Sequence, residues 1–241
     1  MTNKLFGTDG VRGVAGFYPM TADFAFKLAE ILSQTVCTDK KKIAIGKDTR
    51  ISGDMIEAAL SAGFTANGID VILLGIVPTP LVTLKTPELR VDMSLMITAS
   101  HNPYQDNGIK LIDQNGDKFS DDFYAKIEKL LEQSHLTEET APASKQTRFG
   151  KIFREDGIVE DYIEDMRKIA PNYKALQGLR VVIDCANGAY SYILPQTFKD
   201  LGAGVISIKY QPDGYNINQN CGSQHTKQLA QTVKDAHAHF G

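Results

Sequence analysis

The sequence predicts an α/β fold: a three-layer α/β/α arrangement around a mixed, mostly parallel sheet. Three observations carry this expectation. Short apolar runs without alternation, such as Ile43-Ala44-Ile45 and Val71-Ile72-Leu73-Leu74, are those of strands buried on both faces. Stretches with apolar residues at helical spacing separate them. The order strand, aspartate-containing loop, helix, glycine, strand also occurs twice, over residues 43–74 and again over 179–208. That repetition reads as one unit used again in a second, incomplete domain.

The elements follow in order. Residues 4–16 hold Gly7, Gly10, Gly13 and Gly16 around Asp9 and Arg12, so the backbone there bends tightly or approaches a ligand. Thr21 is suited to cap a helix carrying Phe24, Leu28, Ile31 and Thr35. A strand over 43–46 leads to the polar loop Asp48-Thr49-Arg50. Ser52 is placed to cap a helix with Met55, Ile56, Ala59, Leu60 and Phe64, which Gly68 ends in a left-handed conformation. Pro78, Pro80 and Pro87 bracket a brief helix over 81–84. Residues 93–97 read as a buried strand and the run to Ile112 as another, with a turn at Asn107-Gly108. Gln114-Asn115-Gly116 reads as a hairpin turn. Ser120 caps a helix with Phe123, Ile127, Leu130 and Leu131 on one face.

Residues 133–148 are polar, His135 included, and lead to a domain boundary near residue 152. One domain is expected over 1–152 and a second, incomplete one over 153–241. The second opens with a helix carrying Ile158, Tyr162, Ile163, Met166 and Ile169, stopped by Pro171. Residues 179–184 form a strand and Asn187-Gly188 a turn. A helix over 190–201 tolerates Pro195 only in its first turn. A strand over 205–208 and a helix over 226–238 complete the chain. Two strands make a thin sheet for an independent domain.

Composition narrows the function. Lys+Arg 26 against Asp+Glu 29 leaves no basic excess for a nucleic-acid groove. The triplet Lys40-Lys41-Lys42 reads as a solvated lead-in to a strand. Cys37, Cys185 and Cys221 are odd in number, lack metal-site spacing and fit a reducing cytosol. No run approaches the ~20 apolar residues of a membrane span, and none resembles a signal peptide. A cytoplasmic location without membrane contact is expected. No G-x-G-x-x-G, Walker A or G-x-S-x-G pattern supports a nucleotide site or an esterase. His237 and His239, two apart at a helix end, point in different directions and are not a metal pair.

The chemistry gathers at Thr98-Ala99-Ser100-His101-Asn102-Pro103. Pro103 keeps Asn102 out of the helical region, so Ser100 sits in a rigid loop between two strands. A hydroxyl, an imidazole, an amide and, ten residues on, the Lys110 ammonium suit phosphate chemistry. Ser100 would accept a phosphoryl group, while Lys110 and His101 handle charge or protons. Adjacent residues on an extended chain point apart. His101 is therefore expected to contact phosphate or position the loop rather than act as a base for Ser100. On the residues alone, Lys110 also reads as a surface lysine on an edge strand. Arg12 also reads as the partner of Asp9 in a surface turn.

These motifs, taken in order, resemble the alpha-D-phosphohexomutases. They are FGTDGVRG at 6–13, GKDTRISG at 46–53, GIVPTP at 75–80, TASHNP at 98–103 with DNGIK at 106–110, and DCANGA at 184–189. The resemblance runs from residue 4 to about residue 225. The pairing of FGTDGVRG with TASHNP is similar to the bacterial branch that acts on glucosamine phosphates. The resemblance implies interconversion of glucosamine 6-phosphate and glucosamine 1-phosphate through phospho-Ser100 and a bisphosphate intermediate. Such a reaction feeds amino-sugar nucleotides for the cell wall. The runner-up is a phosphomannomutase/phosphoglucomutase.

By the same resemblance, Lys110 is a catalytic acid/base and Arg12 lies near the phosphoserine. Arg50 and Ser52 match family positions and read as structural, through capping and loop or domain contacts. A magnesium ion would be held by Ser100 and three aspartates that this sequence does not supply. Asp113 and Asp117 flank a turn and do not replace them. The implied partner is a phosphosugar, and the implied state is a monomer or weak dimer. Two further domains are implied, so these residues are expected to be the N-terminal part of a longer enzyme, without turnover alone.

Overall fold

The computed structural model describes residues 5–7, 10–37, 40–136, 148–169, 172 and 174–241, without the side chains of 135 and 136. Asp9, Pro171 and most of the polar 133–148 segment lie outside the described residues.

Six strands make one sheet in the order β1-β5-β4-β2-β3-β6. They are β1 (Val11–Val14), β2 (Lys42–Lys47), β3 (Asp70–Ile76), β4 (Met93–Ile97), β5 (Asp106–Asp113) and β6 (Ile152–Arg154). Strands β4, β2, β3 and β6 run parallel, while β5 is antiparallel to both β4 and β1. The sheet is thus mixed and mostly parallel, as expected. β6 belongs to this sheet, with Ile152 opposite Val71, so the sheet draws on residues beyond 152. A second, parallel pair consists of β7 (Arg180–Asp184) and β8 (Gly204–Ile208).

Helices cover both faces. On one side lie α1 (Ala22–Thr35), α2 (Gly53–Ala66) and α4 (Asp121–Leu136). The Thr21 hydroxyl accepts the Phe24 N–H at 3.2 Å and starts α1. The α1 stripe Phe24, Leu28 and Leu32 packs with Ile56, Leu60 and Phe64 of α2 against Ile43, Ile45 and Leu95 of the sheet. Each such side chain contributes about 1.5–3 kcal/mol on full burial. On the other side, α3 (Thr79–Leu89) and α5 (Ile158–Ile169) pack on Ala44, Ile72 and Met96. Ile193 of the second half joins that cluster, so the two halves share a core.

Four local readings change. Asn107-Gly108 is not a turn; both residues lie inside β5. Asn107 is fully buried, donates to the Ser52 hydroxyl at 2.9 Å and accepts the Gly108 N–H at 2.8 Å. A Cβ on Gly108 would come within 2.7 Å of the Thr98 and Val11 carbonyls, so the position requires a missing side chain, not a bend. Ser52, its hydroxyl facing Asn107, makes no capping bond to α2. The brief helix at 81–84 is the eleven-residue α3. Pro80 lies in its first turn, where a missing N–H is free, and Pro87 only in its last. The helix expected over 190–201 divides into a 3-10 turn (Ala189–Tyr192) and α6 (Leu194–Asp200), with Pro195 in the first turn of α6.

The last helix, α7 (Lys227–Asp235), brings the chain back to β7. There His239 donates its N–H to the Arg180 carbonyl, and the Val182 N–H donates to the Phe240 carbonyl at 3.0 Å. His239 Nδ1 also accepts the Arg180 N–H at 2.9 Å, so this histidine serves the strand.

Candidate active site

The site forms where the loops after β2, β4 and β7 meet. Every residue of β4 is buried, and the chain leaves it at Ile97. Thr98 donates its hydroxyl to Asp48 Oδ2 at 2.6 Å and accepts the Ser100 N–H at 3.0 Å. Ser100 then takes a left-handed backbone conformation, φ 56°. For a serine this costs on the order of 1–2 kcal/mol, so the surroundings must impose it.

Arg50 imposes it. This side chain is fully buried. Its Nε donates to Asp48 Oδ2 at 3.1 Å, Nη1 to the Pro103 carbonyl at 2.5 Å, and Nη2 to the carbonyls of Ser100 and Asn102, both at 2.9 Å. A guanidinium is a rigid, donor-only fork, suited to gripping several carbonyls at once. Asp48 neutralises its charge and accepts the Arg50 amide at 3.0 Å as well. Within the loop, Asn102 donates to Asp106 at 2.8 Å. From the second domain, Asn218 Nδ2 donates to the same carbonyls of Ser100 and Asn102, each at 2.9 Å.

Ser100 and His101 are exposed and line a cleft of about 470 Å³. Asp48, Met96 and Thr98 line the first-domain side; Asp184, Cys185, Tyr190 and Asn218 line the other. The carboxyl ends of parallel strands are where open α/β sheets bind ligands. Lys110 stands on β5, between β1 and β4, and not on an edge strand as its alternative reading had it. It is opposite Met96, and directly opposed residues share a face. Arg12 is opposite Gly108, its Cγ lying 2.9 Å from where a Gly108 Cβ would stand. Two residues along β5, Lys110 shares that face. Arg12, Lys110 and Met96 thus share one face of the sheet; Met96 lines the cleft, and Arg12 and Lys110 do not.

Burial and the Asp184 charge push the Cys185 thiol up to about 11, so it is a neutral thiol in the cleft at neutral pH. Burial, then the hydrogen bond with Tyr162, pushes the Tyr190 phenol up as well. Both line the site as uncharged groups.

Ser100 offers a metal one hydroxyl oxygen. Of the cleft carboxylates, Asp48 is engaged by Arg50 and Thr98, and Asp184 by the amides of Ala186 and Gly222. Among the described residues, no three His, Cys, Asp or Glu side chains converge on a common point. Magnesium asks for several oxygens in near-octahedral array. These residues do not fit it by themselves.

Sequence reasoning singled out the serine loop but not Asn218, which sits in no recognisable motif. Its signal is faint: a polar residue in the Asn-rich stretch Asn216-Ile217-Asn218.

The chain was compared with known proteins. Residues 3–138 match the model of phosphoglucomutase/phosphomannomutase alpha/beta/alpha domain I, and residues 160–241 that of domain II. A phosphoglucosamine mutase of Rhizobium rhizogenes is 46% identical over 244 aligned residues, covering 100% of this chain and 53% of that protein. One from Neisseria meningitidis is 45% identical and covers 100% of this chain and 54% of its own length. The chain therefore spans about half the length of these relatives. A phosphoglucomutase/phosphomannomutase family protein of Burkholderia thailandensis superimposes with a TM-score of 0.80 at 24% identity, over 98% of this chain and 51% of that one. That likeness concerns the fold. With both domain models matched in order, the chain belongs to the phosphoglucomutase/phosphomannomutase family, the alpha-D-phosphohexomutases.

Proposed function

We propose that the protein to which these residues belong is a phosphoglucosamine mutase, interconverting glucosamine 6-phosphate and glucosamine 1-phosphate. The observation that carries the reading is Ser100, exposed to the cleft and held in a left-handed conformation by Arg50. Relatives named phosphoglucosamine mutase at this identity support the choice of sugar.

In the proposed reaction Ser100 Oγ carries a phosphoryl group. A sugar hydroxyl attacks phosphorus; its O–P bond forms as the Ser100 Oγ–P bond breaks. Lys110 takes the proton of that hydroxyl. The bisphosphate then presents its other phosphate, which returns to Ser100 Oγ while the Lys110 proton goes to the departing sugar oxygen. Arg12 and His101 hold phosphate charge. Magnesium, when bound beside phospho-Ser100, would offset charge on the transferring oxygens, with further carboxylates needed to hold it. The 241 residues alone are expected to bind magnesium weakly and to lack turnover. The protein is proposed to work in the cytoplasm as a monomer or weak dimer on a phosphosugar. Among the described residues, no helix is long and apolar enough to cross a membrane.

Peptide mapping of the full-length protein purified from cells should place phosphate on Ser100. Phosphate found only on Ser94 or Ser120 would refute the assignment. Lys110→Met should lower kcat by on the order of 10²–10⁴, the usual worth of acid–base catalysis. Wild-type turnover in that variant would remove Lys110 from the chemistry.

A further inference from the structure

Apart from the core shared at α3 and α5, a group of contacts between the domains lies beside the serine loop. The Thr49 hydroxyl donates to the Asn187 carbonyl at 2.6 Å, and the Ile51 N–H to the Gly214 carbonyl at 3.0 Å. The rings of Tyr104 and Tyr215 meet edge to face, centroids 5.4 Å apart. Asn218 goes further, because its amide reaches the carbonyl of the serine itself.

Asn218 and Arg50 take the same two carbonyls, those of Ser100 and Asn102. A carbonyl oxygen has two lone pairs, so the two donors do not compete. With both targets being acceptors, the Asn218 side chain can only present its nitrogen to them. The clamps differ in origin. Arg50 is buried in the first domain beside Asp48 and grips the loop whatever the second domain does. Asn218 belongs to the second domain. Its backbone is itself left-handed, φ 58°, and its N–H is fixed on the Ala186 carbonyl at 2.9 Å. It holds the serine only while the domains are docked.

We propose that Asn218 is a positioning residue that makes the setting of Ser100 depend on docking of the second domain. The proposal rests on the phosphotransfer reading of Ser100 above. With Asn218 engaged, the carbonyls on both sides of His101 are each held twice, and the positive φ of Ser100 is fixed. With Asn218 withdrawn, Arg50 keeps the loop folded but leaves each carbonyl one bond fewer. The hydroxyl, or the phosphoryl group on it, then samples a wider range. In-line transfer is sensitive to such placement. Asn218 acts on turnover through Ser100, without touching the sugar.

The test uses the full-length protein with Ser100→Ala, Asn218→Asp and Asn218→Ala. Ser100→Ala should abolish both the phosphopeptide and turnover; if it turns over normally, the phosphotransfer reading fails and this proposal with it. Given a silent Ser100→Ala, Asn218→Asp is decisive. It keeps the size, removes the donor and aims an oxygen at two carbonyls. Its kcat should fall about ten- to a hundredfold, with KM changed by less than about twofold. Backbone amides at 98–102 should exchange faster while those of β2 and β3 keep their wild-type rates. Wild-type kcat and unchanged exchange at 98–102 would overturn the proposal. So would faster exchange throughout both domains, the mark of general loosening. If Asn218→Asp does not fold, Asn218→Ala, which only deletes the donor, is read by the same criteria.

Discussion

Asp48 stands at the end of β2 and Asp184 at the end of β7, corresponding places in the two repeated units. Each uses one oxygen for the amide two residues on: Asp48 for Arg50 at 3.0 Å, Asp184 for Ala186 at 2.8 Å. The other oxygen differs. Asp48 Oδ2 takes the Arg50 guanidinium and the Thr98 hydroxyl, both of which hold the serine loop. Asp184 Oδ2 takes the Gly222 amide at 2.9 Å. One turn-forming aspartate organises side chains around Ser100; its counterpart organises backbone. The settings differ too. β2 is buried over residues 43–46 and lies between β3 and β4, both with buried residues; β7 is buried over 181–183 but its partner strand is β8, no residue of which is buried. A repeated topology thus fixes where the aspartate stands, but its partners and the width of its sheet decide what it does.

The largest test of that contrast removes Arg50. Arg50→Met leaves Asp48 buried without its cation and takes one donor from each of three carbonyls, at a cost of about 3–5 kcal/mol. Urea denaturation measures it. A cost within about 1 kcal/mol of zero would mean that Asp48 organises no more than Asp184 does. Hydrogen exchange comes next. Amides of β7 and β8 should exchange at least about a hundredfold faster than those of β2 and β4, through an opening that leaves the six-stranded sheet closed. Equal rates would mean that the domains open as one.

A smaller effect lies inside the second unit. Asn187 accepts the Gln211 N–H at 3.1 Å and donates to the Asn216 carbonyl at 3.2 Å. Asn187→Ala should cost about 1–3 kcal/mol, from the two side-chain hydrogen bonds lost. Faster exchange should be confined to 209–218 and spare 48–51.

The smallest concerns the junction between α3 and α5. Burial pulls the Lys85 ammonium down, but hydrogen bonds to Asp165 at 2.5 Å and Glu88 at 2.8 Å, with their charges, raise its pKa overall. The Asp165 carboxyl is lowered, first by the Lys85 hydrogen bond and then by that of Lys168. A lowered carboxyl adds stability above its unfolded pKa of ~4 and loses it as pH falls through the folded value. A raised ammonium adds stability below its unfolded pKa of ~10.4 and loses it only as pH rises through the folded value. Asp165→Asn should therefore lower Tm slightly near neutral pH, and less and less in acid. A penalty that persists once wild-type Asp165 is protonated would point to packing instead of charge.

Most of the architecture was legible because strands buried on both faces leave apolar runs and amphipathic helices leave periodic ones. The serine loop was legible because its residue types are chemical. What escaped was set by distant partners. Asn107-Gly108 carries the usual sign of a tight turn, yet strand burial and the Ser52 hydroxyl overrule it. Ser52 looks like a cap and is used as an acceptor for another strand. Asn218 lies 118 residues from the serine it grips, beyond the reach of any local pattern, whereas the loop contacts of Arg50 were expected through the family resemblance.

The grip on that serine has a consequence for protein engineering. The six residues 98–103 contribute the carbonyls but not the donors that shape them. Grafted onto another strand end, the hexapeptide would be free to relax its positive φ and would carry the same residues without their conformation. A working transplant must bring at least a buried arginine and its aspartate with it, so the smallest transferable unit spans two strand ends rather than one loop.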